Sequence, residues 1–199
     1  MRRVPTRSGD SFDPVLWRRK ERSRSDATPI NLPDKHEHPP EVVNAMFLHG
    51  LIGRPAPSSR IDEDHVTRLK EINRAESVLV IPVPRRLWTQ SEWPRIEAGH
   101  AARDMDDKWN GYVEDDILHL HRSWTGQLMY EARFESDGDA RRIVDATVRN
   151  DEKYEALSPE TESVQLEVII ETVFLNEWNE AKVTDLLRRL REEGKLPPE

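Results

Sequence analysis

The stretch from Trp109 to Arg149 limits the fold of this chain more than any other part of it. Four strand-like segments follow one another there: Trp109–Glu114, Ile117–Trp124, Gln127–Glu135 and Ala140–Arg149. Asp115-Asp116, Thr125-Gly126 and Ser136-Asp-Gly-Asp139 separate them, and each is a turn signal. Links this short join antiparallel neighbours, so the stretch predicts a meander.

Turn length fixes register, and register decides which side chains share a face. A two-residue turn at Asp115-Asp116 sets Tyr112 opposite His119, Asn110 opposite His121 and Trp109 opposite Arg122. A two-residue turn at Thr125-Gly126 would set His121 opposite Tyr130, Arg122 opposite Met129 and Leu120 opposite Glu131. An Asp-Gly turn at 137–138 would set Tyr130 opposite Asp145 and Ala132 opposite Ile143. One face then holds Trp109, Val113, Leu118, Leu120, Trp124, Met129, Val144, Ala146 and Val148, which the C-terminal helices are expected to cover. The other carries a polar row, Asn110–His121–Tyr130–Asp145, beside Tyr112–His119. A slip of one residue in any turn dissolves that row.

After the meander, Ser158-Pro159 offers an N-cap with proline at the first helical position. Leu166, Ile169, Ile170, Val173 and Phe174 form an apolar stripe running to about Trp178. A second helix over about Glu180–Glu192 carries Val183, Leu186, Leu187 and Leu190, and Gly194 ends it. Before the meander, Glu41–Leu51 and Ile61–Asn73 have helical spacing, the second turning Val66, Leu69 and Ile72 inward. Ser77–Val83 reads as a buried strand that Pro82 and Pro84 push toward an edge, and Thr89–Ala102 as helical or irregular.

Residues 1–40 are expected to be disordered, since six of the fourteen prolines fall there among Ser, Arg and Asp. The first 25 residues hold eight Arg/Lys against three acids, leaving 22 basic and 35 acidic side chains for the other 174. A basic arm precedes an acidic body, and that body opposes specific nucleic-acid binding. The absence of cysteine excludes disulfides, thiol catalysis and Cys-ligated metals. No apolar run has the length of a membrane span, and no apolar stretch follows Met1-Arg2-Arg3, so a cytoplasmic protein with no signal peptide is expected. Motifs for nucleotide phosphates, zinc proteases and serine hydrolases are missing. The cofactor question stays open.

Candidate site residues lie in the meander. His119 and His121 share a face about 7 Å apart along one strand. A metal would need a third ligand there, with only Asp145 at the edge of reach, and none is expected. A hydrogen-bonded row of His121, Tyr130 and Asp145 would poise an imidazole for ligand contact or proton transfer. Arg122 opposite Trp109 suits a guanidinium packed on indole, worth about 0.5–2 kcal/mol. The other reading is an anion or nucleotide held by Arg122 and Ser123 and stacked on Trp124.

The run Asp106-Asp-Lys-Trp109, then His121-Arg-Ser-Trp-Thr-Gly126, then Val148-Arg-Asn-Asp-Glu-Lys-Tyr154 resembles a family of small uncharacterised bacterial proteins. Its pattern runs D-K-W, H-R-S-W-T-G and N-R-D-x-x-x-Y, and names referring to ADP-ribosylation or J-type crystallin have been attached to some members. The resemblance covers residues 105–178. His119 stands where the family often has an aromatic, and Arg149-Asn150 inverts its Asn-Arg order.

The expectation is α+β: an antiparallel meander of four to five strands with helices packed on one face and a disordered N-terminal arm. The arm spans 1–40 and a single domain spans 41–199, with the meander at 105–154 and C-terminal helices at 158–193. Two functions are expected: a non-catalytic binding module using the hairpin at 121–126 on a protein partner, or a small hydrolase or sensor of a nucleotide-like, ADP-ribose-related molecule.

Overall fold

A computed structural model describes residues 50–52, 59–72, 75–104 and 106–196. The expected arm lies outside the described residues, as does most of the helix expected at 41–51, although Gly50 and Leu51 are helical. The elements are α1 (Glu63–Glu71), β1 (Val78–Val80), β2 (Trp88–Thr89), α2 (Trp93–Glu97), β3 (Trp109–Glu114), β4 (Ile117–Arg122), β5 (Leu128–Asp137), β6 (Ala140–Arg149), α3 (Pro159–Ile169), a π-helical turn (Ile170–Phe174) and α4 (Glu180–Glu192).

The protein is α+β. Its antiparallel sheet runs β1-β6-β5-β4-β3, and β2 also pairs with β6. Asp115 and Asp116 both take positive φ, 51° and 60°, the backbone of a tight two-residue hairpin. That turn delivers the first register as expected: Tyr112 faces His119, Asn110 faces His121 and Trp109 faces Arg122. The next turn is longer. Gln127 O accepts from Arg122 N–H at 2.9 Å, Gly126 N–H donates to Arg122 O at 2.8 Å, and β5 starts only at Leu128. A bulge beside Leu120/His121 then sets Leu120 opposite Tyr130 and His121 opposite Leu128. A second bulge, at Arg133/Phe134, sets Arg133 opposite Asp145 and Tyr130 opposite Val148.

These shifts correct the expected faces. Tyr130 belongs to the apolar face with Leu120 and Val148, and Asp145 lies on the other face beside Arg133. The apolar layer gains Tyr130, Ala132, Phe134 and Ile143 and loses Trp124 and Val144, the latter left unpaired at the second bulge. As expected, the C-terminal segment covers it: Leu166, Ile169, Ile170, Val173 and Phe174 are buried against Trp109, Leu118 and Leu120. Ser158 caps α3 through Thr161 N–H, with Pro159 in the first turn. The stripe passes into the π-helical turn, where the buried Glu171 is bonded by both Arg86 and Lys182. A second cluster joins Val168 of α3 to Val183, Leu186, Leu187 and Leu190 of α4 and to Ile52.

The opposite sheet face receives α1, capped by Asp62 accepting from His65 N–H at 2.7 Å and tied down by Lys70 to Glu114 at 2.5 Å. Helices therefore lie on both faces. Ser77–Val83 yields a three-residue edge strand, with Val78 and Val80 52 % and 66 % exposed. Pro82 and Pro84 account for its brevity, because neither can donate to a ladder.

Candidate functional site

The hairpin end of β4 and β5 is anchored by residues chosen for geometry. The guanidinium carbon of Arg122 lies 4.2 Å from the centre of the Trp109 indole. Trp109 Nε1 and Arg122 Nη1 both donate to Leu51 O at 3.2 Å. Ser123 N–H donates to Lys108 O at 3.0 Å, and Ser123 Oγ donates to Asp107 O at 2.7 Å. Gly126 takes φ +66°, which favours glycine, and a Cβ built there would sit 2.2 Å from Ile72 Cδ1, so the tip of that side chain would have to move. His121 Nδ1 lies 2.8 Å from Gly126 O and locks the turn to the strand.

Trp124 is the exception. It is 63 % exposed at the tip, with Lys108 Nζ 4.9 Å from its ring centre. An indole expected in the core therefore faces solvent on a fixed hairpin.

The anticipated row of His121, Tyr130 and Asp145 is not assembled. His121 is buried on the α1 side, where Tyr112 stacks on both His119 (4.8 Å between ring centres) and His121 (5.7 Å). Tyr130 is buried on the opposite face, and Asp145 is exposed. Arg122 is likewise committed to Trp109 and Leu51 O, and burial lowers its pKa. It is not held out beside Trp124 as an anion contact. Replacing Arg122 with Met is accordingly expected to cost about 1–3 kcal/mol of stability, as the loss of a part-buried, charge-assisted hydrogen bond and a cation–π contact. Urea denaturation measures this, and an unchanged midpoint would refute the structural role.

Sequence reasoning missed a buried polar cluster on the α3 side. Glu162 accepts from Tyr130 Oη, from Tyr154 Oη at 3.2 Å and from Leu157 N–H at 2.8 Å. Burial raises the pKa of Glu162 and of both tyrosines. The available signal was spacing, since Glu162 lies four residues before Leu166 and so on the inward stripe of α3.

Among the described residues no group of three or more His, Asp or Glu is placed to hold a metal ion. No helix there is long and apolar enough to cross a membrane. The fold and site thus define an α+β protein with a rigid hairpin presenting one tryptophan and a histidine–tyrosine stack on the sheet behind it. Comparison with protein-family models, curated proteins and solved structures finds no match to this chain.

Proposed function

We propose that this chain is a non-catalytic binding module that engages a protein partner through the hairpin at 121–126, with Trp124 as anchor. The observation behind this reading is the division of labour in the hairpin. Arg122, Ser123 and Gly126 are bonded inward, while Trp124 stands 63 % exposed on the backbone they fix. A rigid, exposed indole gives a large contact area at little ordering cost, and tryptophan is among the commonest dominant residues of protein interfaces. The nucleotide-like alternative required Arg122 and the His121–Tyr130–Asp145 row, and those groups are occupied or separated.

Because Trp124 contributes little to the core, Trp124→Ala is expected to change stability by no more than about 0.5 kcal/mol. It should weaken partner binding about 30-fold or more, the usual scale for a dominant interface residue. The test places a photo-crosslinking residue at Trp124 of the full chain in its native cells. The expected result is one discrete adduct, competed away by the unmodified chain and not by the Trp124→Ala chain. Crosslinking no stronger than from the same residue at exposed Glu135 would refute the reading.

A further inference from the structure

The two ends of the sheet are finished differently. Beyond β3 the edge is closed: His100 and Gly111 exchange two 2.8 Å backbone hydrogen bonds, Ala102 N–H donates to Asn110 Oδ1 at 2.8 Å, and Ser123 N–H donates to Lys108 O. At the other end β1 pairs, among the described residues, with β6 alone. Ile81 N–H donates to Ala146 O and Ser77 O accepts from Asn150 N–H, both at 3.0 Å, so the odd-numbered residues turn their backbone groups toward β6. By the alternation of a strand, Val78 and Val80 turn theirs outward. Each offers one N–H and one C=O along the open edge.

Natural edges are usually blunted by lysine, other charges or a covering loop. Here the outward residues are valines, each more than half exposed. Of the seven exposed large hydrophobics among the described residues, five (Ile72, Val78, Val80, Val83 and Leu87) fall within residues 72–87. Apolar exposure is thus concentrated around the strand with open backbone groups, the combination that an added strand recognises.

The flanks of β1 select which strand that is. The backbone bends at Glu76 and Ser77, and Pro82 has no N–H, so the usable ladder is Val78 to Val80. A two-fold axis through Leu79 sets Val78 of each copy opposite Val80 of the other. Every outward N–H and C=O of the two valines is then paired, and the four valine side chains meet on one face. An axis through Val78 would call on Glu76 in the bend, and one through Val80 would set Val78 opposite Pro82, which cannot donate. Charge agrees with the antiparallel sense. Exposed Glu76 before the strand lies toward exposed Arg85 after it in the second copy, whereas a parallel pairing would set like beside like. We propose that β1 is the contact through which two copies of this chain pair edge to edge, joining their sheets antiparallel about Leu79. The contact uses no residue of the hairpin at 121–126 and so goes beyond the reading built on Trp124. A ladder this short makes an interface below about 1,200 Å², so the pairing is reversible and depends on concentration.

Sedimentation velocity of the full chain from about 1 μM to about 1 mM, a span that covers weak association, is expected to show monomer passing to dimer. No larger species should form, because a closed two-fold contact uses up both open edges. Over the same span the Val78 and Val80 amides should exchange with deuterium at least about tenfold more slowly at the high end, while the Leu79 amide, which faces β6, should not change. Val80→Lys sets an ammonium beside Val78 of the second copy and should weaken the dimer at least about tenfold, with the thermal midpoint of the monomer unchanged because the position is exposed. A chain that stays monomeric throughout, or a dimer whose Val78 and Val80 amides still exchange fast, would overturn the proposal. So would slow exchange that persists on dilution, as cover by another part of the same chain would give, or a dimer that Val80→Lys leaves intact. None of these results touches the Trp124 crosslink, so this proposal and the hairpin reading fail separately.

Discussion

Phe174→Ala is expected to lower the free energy of unfolding by about 3–5 kcal/mol, a large share of the roughly 5–15 kcal/mol that holds an ordinary domain together. The side chain is fully buried at the end of the π-helical turn. Its tip fills the place of a missing side chain: a Cβ on Gly111 would lie 2.5 Å from Phe174 Cζ and 3.0 Å from Leu120 Cδ2. The sheet backbone cannot sink into the resulting void, because Gly111 exchanges two 2.8 Å hydrogen bonds with His100 and is also paired with Leu120. A cavity that cannot collapse gives the upper part of the truncation range. The same contact makes Gly111→Ala destabilising by about 1–3 kcal/mol through overpacking. Combining the two changes should cost less than their sum, because the new methyl enters the space the ring vacates. Urea denaturation of the three variants measures this coupling, and a loss below about 1 kcal/mol for Phe174→Ala would refute the packing argument.

The element pattern was legible because it rests on local rules. Asp115-Asp116 forced a tight turn and so paired β3 with β4 correctly, and Ser158-Pro159 marked the start of α3. The candidate row failed where those rules ran out. A longer turn after Arg122 and a bulge beside Leu120/His121 moved Tyr130 to the other face. Both depend on tertiary fit, since Gly126 must pass under Ile72 and His121 must reach Gly126 O. The fate of Trp124 follows from the same displacement, as it left the strand ladder and with it the alternation that would have buried it. Arg122 and Trp109 were placed correctly because their pairing belongs to the first hairpin, upstream of the shift. The His119–Tyr112–His121 stack was half visible for the same reason.

Displacing Tyr130 created the buried cluster around Glu162, whose removal should have the other large effect. Glu162→Leu leaves the Tyr130 and Tyr154 hydroxyls and the Leu157 N–H without their acceptor, at a cost of about 3–5 kcal/mol given about 1–3 kcal/mol per stranded buried donor. Glu162→Gln keeps an acceptor oxygen and removes the titration, so it isolates the effect of pH. Burial raises the folded-state pKa of Glu162 above 4.5, although the hydrogen bonds from Tyr130, Leu157 and Tyr154 pull against it. A raised carboxyl pKa means that the folded protein holds this proton more tightly than the unfolded chain. Its contribution to stability is therefore complete below the unfolded value and is lost as pH rises through the folded one. His121 and His65 act in the opposite sense, because burial lowers both and their contribution is lost as pH falls below about 6.5. The quantity to read is thus the stability of the natural chain minus that of Glu162→Gln, measured by urea denaturation from about pH 4 to about pH 8, in which the histidine contributions cancel. That difference is expected to be largest at the acid end and to shrink with rising pH. A difference that stays flat or grows with pH would show that burial does not raise the pKa of Glu162.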